Sequence, residues 1–250
     1  MSTTTFAPHL DDCRVRVLAT NRIASYTWGM TALADIERPE PRWPAVIAAF
    51  SAVALHFALP PQLRIGPPGS LALIVGMLVL AAQVTRSRGL YRANELLGYG
   101  VLVVLTSGLV FGVGALLHAL LNHSEKAPAL LKAGSVLWAI NVIVFASLYW
   151  RLDAGGPNQR ERRAAHTEGA FLFAQMTVAS PNADDLTIAE HEGWRPHFVD
   201  YLFVAFNTST AFSPTDAPVL SKWAKIAMMI QAIISFTTVV LIAARAVNIL

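Results

Sequence analysis

Cysteine and charge are what this chain has least of. One of its 250 residues is cysteine, Cys13, so it has no means of forming an intrachain disulfide or a cysteine-based metal site, and its cysteine usage does not report an oxidising compartment. Charged residues make up 14% and hydrophobic residues 54%, with a mean hydropathy of +0.48; a soluble single domain would not keep that much apolar surface from water. A phosphate-binding glycine loop and an H-E-x-x-H pair are missing as well. The acid-rich stretch with Asp184, Asp185, Glu190, His191 and Glu192, followed by His197 and Asp200, matches no metal or triad spacing and reads as a solvated loop. No enzymatic activity, cofactor or bound metal is expected. The 19 basic side chains, giving a formal charge of +3, are scattered between apolar runs as topology determinants rather than gathered into a nucleic-acid surface.

What is present is long apolar runs. The expected fold class is all-α: a polytopic helical membrane protein with five full transmembrane helices plus one short re-entrant or pore-type helix. Residues 1–43 form an N-terminal extramembrane or interfacial segment; acids and arginines mix there with no apolar signal core, so the first span is expected to act as signal anchor. Residues 44–150 form a four-helix transmembrane region, with spans near 44–59, 71–84, 97–121 and 133–150. The first stops at Pro60-Pro61, and the third carries Gly108 and Gly112 one turn apart, which lets a neighbouring backbone come close. Residues 151–198 form a polar extramembrane loop. Its brief apolar piece "AFLFAQM" is too short to span and is the candidate interfacial helix. Residues 199–250 hold a short apolar segment and a full last span near 224–247.

Basic residues argue orientation. With the N-terminal side cytoplasmic, Arg38, Arg42, Arg86, Arg88, Arg92 and the cluster Arg160, Arg162 and Arg163 lie inside, against Arg64, Lys126 and Lys132 outside. A re-entrant short segment then enters from the cytoplasmic side and sends the chain's end outward, whereas a thin fifth span returns it inside; the sequence leaves both open. Four polar residues fall at membrane depth, where polar groups are costly and often functional: His56, His118, Asn141 and Gln231. The histidines read as reaching interfacial water rather than as haem ligands or a proton relay, and Asn141 and Gln231 as hydrogen-bonding between helices.

The short segment turns from aromatic to hydroxylated, "FVDYLFVAFNTSTAFSPTDAPVL", before the last span begins. With that span it resembles the pore helix, filter and inner helix of two-span potassium-channel pore domains. It is also similar to a family of uncharacterised bacterial membrane proteins sharing a D-x-x-[YF]-x-x-F segment, here Asp200, Phe203 and Phe206. The channel's T-x-G-Y-G filter falls on Ser209, Thr210, Ala211, Phe212 and Ser213, where both glycines are gone. Residues with a Cβ, followed by Pro214, do not readily build that carbonyl cage, so the resemblance implies the architecture without potassium selectivity. The pore-lining candidates are Asn207, Thr208, Ser209, Thr210, Ala211, Phe212, Ser213 and Asp216, whose carboxylate would form a charged ring in a homo-oligomer passing monovalent cations. Two other readings stay open: a non-conducting structural or accessory protein with a degenerate pore fold, whose hydroxyls only satisfy backbone carbonyls, and a small-solute transporter. In each case the lipid bilayer of a bacterial inner membrane is the expected setting, and nucleic acid is not a partner.

Overall fold

The computed structural model describes residues 40–122, 126–162, 169–176, 195–210 and 217–247, with side chains through residue 244. Among them, regular structure is helical apart from one antiparallel bridge between Phe171 and Val219. Helix α1 (Trp43–Phe57) starts with Pro44 in its first turn, where a missing N–H costs nothing, and ends short of Pro60. Then come α2 (Ser70–Ser87), α3 (Tyr91–Leu121) and α4 (Ala127–Leu152). A one-turn α5 (Pro157–Arg160) precedes α6 (Phe198–Thr210), and α7 (Lys222–Val247) closes the described chain.

Four helices are long and apolar enough to cross a membrane: α2, α3, α4 and α7. The protein is thus a multi-span helical membrane protein. The fifth expected span, α1, is an apolar helix of 15 residues, cut short by the prolines after it. At ~1.5 Å per residue it covers about 22 Å, less than the roughly 30 Å hydrocarbon core. The third and fourth helices begin earlier than hydropathy alone suggests, at Tyr91 and Ala127, because turn geometry and not apolarity sets their starts. Between α2 and α3 the Leu90 N–H bonds the Thr85 carbonyl and the Gly89 N–H bonds that of Arg86, the paired bonds of a Schellman ending. Gly89 supplies the left-handed residue this ending needs, at φ 71°.

Contacts fix the directions. At one pole lie Arg42 before α1, Arg86 at the end of α2, Asn94 at the start of α3 and Trp150 at the end of α4. Arg42 and Arg86 both reach Glu161, and Asn94 donates to the Ala82 carbonyl. At the other pole Arg64 folds back onto the carbonyls of Phe57 and Leu59. Helix α4 is central: it packs against α1, α3, α6 and α7 and buries Ala133, Leu137, Asn141, Val144, Ala146 and Tyr149 completely.

The apolar piece "AFLFAQM" differs from expectation. Over its first residues it is not a surface helix. Leu172 N–H bonds Pro218 and Leu220 N–H bonds Ala170, so the backbone is paired and extended, and only Ala174–Met176 makes a single 3-10 turn. The cause is Phe171, which is fully buried with its ring 5.2 Å from that of Tyr149, 6.2 Å from Tyr201 and 6.3 Å from Trp223. Extended pairing places Phe171 and Phe173 together in this aromatic core, which binds them more strongly than a membrane surface would.

Gly108 and Gly112 serve packing within the subunit, and unequally. A Cβ on Gly112 would lie 2.7 Å from the Leu137 Cδ2 of α4, whereas one on Gly108 would meet Leu71 at an ordinary 3.7 Å. Gly112→Ala is therefore expected to destabilise by about 1–3 kcal/mol through overpacking. Gly108→Ala should be neutral or stabilising by up to about 1 kcal/mol, since alanine is the better helix former. Unfolding of the detergent-solubilised variants checks this; equal effects at the two positions would contradict the packing.

Candidate functional site

The short helix α6 stands on the last turn of α4. Its start carries one half of a capping box: the Asp200 carboxylate, in the first turn, accepts the His197 N–H at 2.7 Å. Phe198 then packs on Trp150 with ring centres 6.0 Å apart. Tyr201, one turn on, is fully buried and donates its hydroxyl to Asp153 at 2.6 Å. Asp153 is also fully buried, and its other carboxylate oxygen accepts the Ala170 N–H. One carboxylate thereby ties the end of α4, the paired segment and the start of α6 together.

Arg160 supplies the counter-charge. It donates at 2.8 Å to the carbonyls of both Trp150 and Asp153, which cap the end of α4, and pairs with Glu40 through Nε and Nη2 at 3.1 and 2.9 Å. Burial alone would pull this guanidinium down, yet Tyr201, Glu40 and Asp153 around it hold it above its ordinary range. Trp150 Nε1–H also donates to Glu40. Sequence reasoning took Arg160 for a surface topology charge and passed over Asp153, Tyr201 and Glu40. The available signal was an acid followed by a Gly-Gly-Pro turn directly after a span, a place where a carboxylate has backbone donors within reach.

At its far end α6 runs about 18 Å deeper along α4, from the level of Trp150 to that of Trp138. There it meets Gln231, fully buried at the middle of α7. The Gln231 amide donates to the Ala205 carbonyl at 2.7 Å and the Ser209 hydroxyl at 2.8 Å, and its oxygen accepts the Tyr149 hydroxyl at 2.6 Å. Its own backbone carbonyl accepts the Asn141 amide at 3.3 Å. Ser235, one turn above, donates to the Ser209 carbonyl at 2.6 Å, and Trp138 Nε1–H reaches the same oxygen at 3.4 Å. Thr238, the next turn on the same face, is buried as well.

The structure thus brings Asn141, Ser209 and Gln231 into one network, as the interhelical reading of the two amides anticipated. The remaining candidates go elsewhere. Thr208 returns its hydroxyl to the Val204 carbonyl at 2.8 Å and Thr210 to that of Phe206 at 3.0 Å, so both serve their own helix; Asn207 is half-buried. His118 is exposed and bonds Asn122 at 2.9 Å. His56 departs from the expectation of reaching water: it is buried, and among the described residues its Nε2 has no hydrogen-bond partner. Ala211, Phe212, Ser213 and Asp216 lie outside the described residues, as do Cys13 and the acidic stretch 184–192. Comparison with family models, with curated proteins and with solved structures returned no match.

The network predicts a measurable coupling. Tyr149→Phe and Gln231→Leu should each destabilise the protein in detergent, and together by less than the sum. The expected interaction energy is about 0.6–1.7 kcal/mol, the range for hydrogen bonds between membrane helices. Strict additivity in a double-mutant cycle would show that the two side chains do not act on each other.

Proposed function

We propose that the chain is a bacterial inner-membrane protein whose C-terminal module has the outer-helix, re-entrant half-helix and inner-helix arrangement of a two-span pore domain. In this reading α4, α6 and α7 fill the three roles. Assembled as a homo-oligomer, the module forms a cation conduit, without potassium selectivity, around residues 207–216. One observation carries the reading: both flanks of the 13-residue α6 lie at the same pole. Phe198 packs on Trp150, the helix rises to Trp138, and Val219 is back beside Phe171 at the level of Tyr201. A helix of about 20 Å that returns to its side of entry has not crossed a bilayer.

Charge supports the orientation. The pole that α6 enters carries Arg42, Arg86, Arg151, Arg160 and Arg162, and the start of α7 adds Lys222 and Lys225 there. By the positive-inside rule that pole is cytoplasmic, α6 enters from the cytoplasm and α7 leaves toward the outside. A second reading, the non-conducting accessory protein, draws its support from the hydroxyls of Thr208, Ser209 and Thr210, all occupied within the subunit.

Two measurements separate these. In a Cys13→Ser background, His197→Cys and Leu220→Cys should react with a membrane-impermeant thiol reagent from the same, cytoplasmic side; labelling from opposite sides would remove the re-entrant helix and the module with it. Purified protein should then run as an oligomer and conduct monovalent cations in a planar bilayer, with Asp216→Asn altering cation preference. An oligomer or monomer silent in the bilayer would leave the accessory reading in place.

A further inference from the structure

Beside the network, and independent of whether the protein conducts, lies a cavity of about 80 Å³ between α1, α2, α3 and α4 at the basic pole. That exceeds the roughly 10–15 Å³ that admits one water, and leaves room for a small polyatomic ion. Arg42, Arg86 and Arg151 line it together with Asn94, and among the described residues no carboxylate does. Its deeper wall is apolar, including Ala49 and Leu105.

The three guanidiniums are incompletely neutralised. Arg42 and Arg86 share a single carboxylate, Glu161, at 2.9 and 3.4 Å. Burial pulls Arg42 below its ordinary range, with Glu161 opposing and Arg86 adding to the pull, and its Nε is buried without a partner among the described residues. Arg151 is the more exceptional. Among the described residues its Nη1 is buried with no hydrogen-bond partner, and its guanidinium lies over the Trp150 ring at 5.3 Å. It occupies the space above Gly98: a Cβ there would fall 2.1 Å from the guanidinium carbon. A buried cationic donor left unpaired is costly, so its placement against a glycine, in a cavity with two other arginines, calls for an anion.

We infer that this cavity binds a phosphate-type oxyanion, held by Arg42, Arg86 and Arg151 at the cytoplasmic end of the bundle. Planar guanidiniums match tetrahedral oxyanions by paired N–H donors, and basic pockets between membrane helices on this side suit phosphate-bearing headgroups. The same chemistry is offered by an anionic phospholipid, whose chain would follow the apolar wall, and by free phosphate.

The full chain, in nanodiscs of phosphatidylcholine with or without phosphatidylglycerol, tests the site by thermal unfolding and by native mass spectrometry of retained lipid. Inorganic phosphate titrated into phosphatidylcholine discs forms the second arm. Phosphatidylglycerol is expected to raise the unfolding temperature and to be retained. Arg151→Gln should weaken the effect by at least about tenfold, the worth of a charge-assisted hydrogen bond. Arg86→Gln, at the partly exposed edge, and Gly98→Ala, which keeps every charge but displaces the Arg151 guanidinium, should weaken it too. If inorganic phosphate alone reproduces the shift, the site stands with a free oxyanion as ligand. No response to either probe would overturn it. So would an equal loss in Arg92→Gln, an exposed arginine that does not line the cavity, because the effect would then belong to the surface charge as a whole.

Discussion

The constraint on which the C-terminal half depends is that a helix ending among packed helices leaves carbonyls with no water to receive them. An α-helix has four such carbonyls at its C-terminus, and in hydrocarbon each costs several kcal/mol if unmet. Helix α6 ends at Thr210, about 18 Å below the level of Trp150 along α4. The Ser209 carbonyl takes two donors from neighbouring helices, Ser235 and Trp138, and Gln231 adds a further donor to Ala205 one turn earlier. The buried polar residues of α7 at positions 231 and 235, one turn apart, are the receptor for that end. The other face of α7, with Ile226, Met229, Ile230, Ile233 and Phe236, is exposed and apolar, as lipid or a second subunit requires.

The same constraint explains which parts of the fold were legible in the sequence. A Gln in the middle of an otherwise apolar span has few roles except to bond another helix, and Gln231 does so through its side chain and its backbone. The short aromatic-to-hydroxyl segment announced a short helix, and α6 has 13 residues. Less visible was anything that depends on what comes near from far along the chain. Phe171 sits in a short apolar piece that reads as a surface helix until Val219 and Trp223 are known to lie beside it. His56 looks close enough to a helix end to reach water, but tertiary closure buries it.

Arginine was the residue type most misjudged by pattern. Scattered basic residues flanking spans serve the positive-inside rule, and at the level of topology that reading accounts for Arg42, Arg86 and Arg160. Their side chains do more than orient the chain. Arg160 is almost wholly buried and fills two carbonyl positions at the end of α4, while Arg42 and Arg86 converge on Glu161 from different helices. Spacing in sequence gives no hint of this convergence, because Arg42 is separated from Arg86 by α1 and nearly all of α2, which bring them back to one pole.

What joins the two halves is a single turn of α4. Consecutive residues on an α-helix point about 100° apart, so a short run can address several neighbours at once. Tyr149 faces α7 and bonds Gln231; Trp150 donates to Glu40 and packs on Phe198 of α6; Arg151 turns toward α3, into the cavity over Gly98; and Asp153, just past the helix, holds Tyr201. Arg160 closes this turn from outside by bonding the carbonyls of Trp150 and Asp153. Rotating the turn to suit one partner would misplace the others. The register of α4 is therefore fixed at its basic end, and both the seat of α6 and the arginine-lined cavity inherit their positions from it.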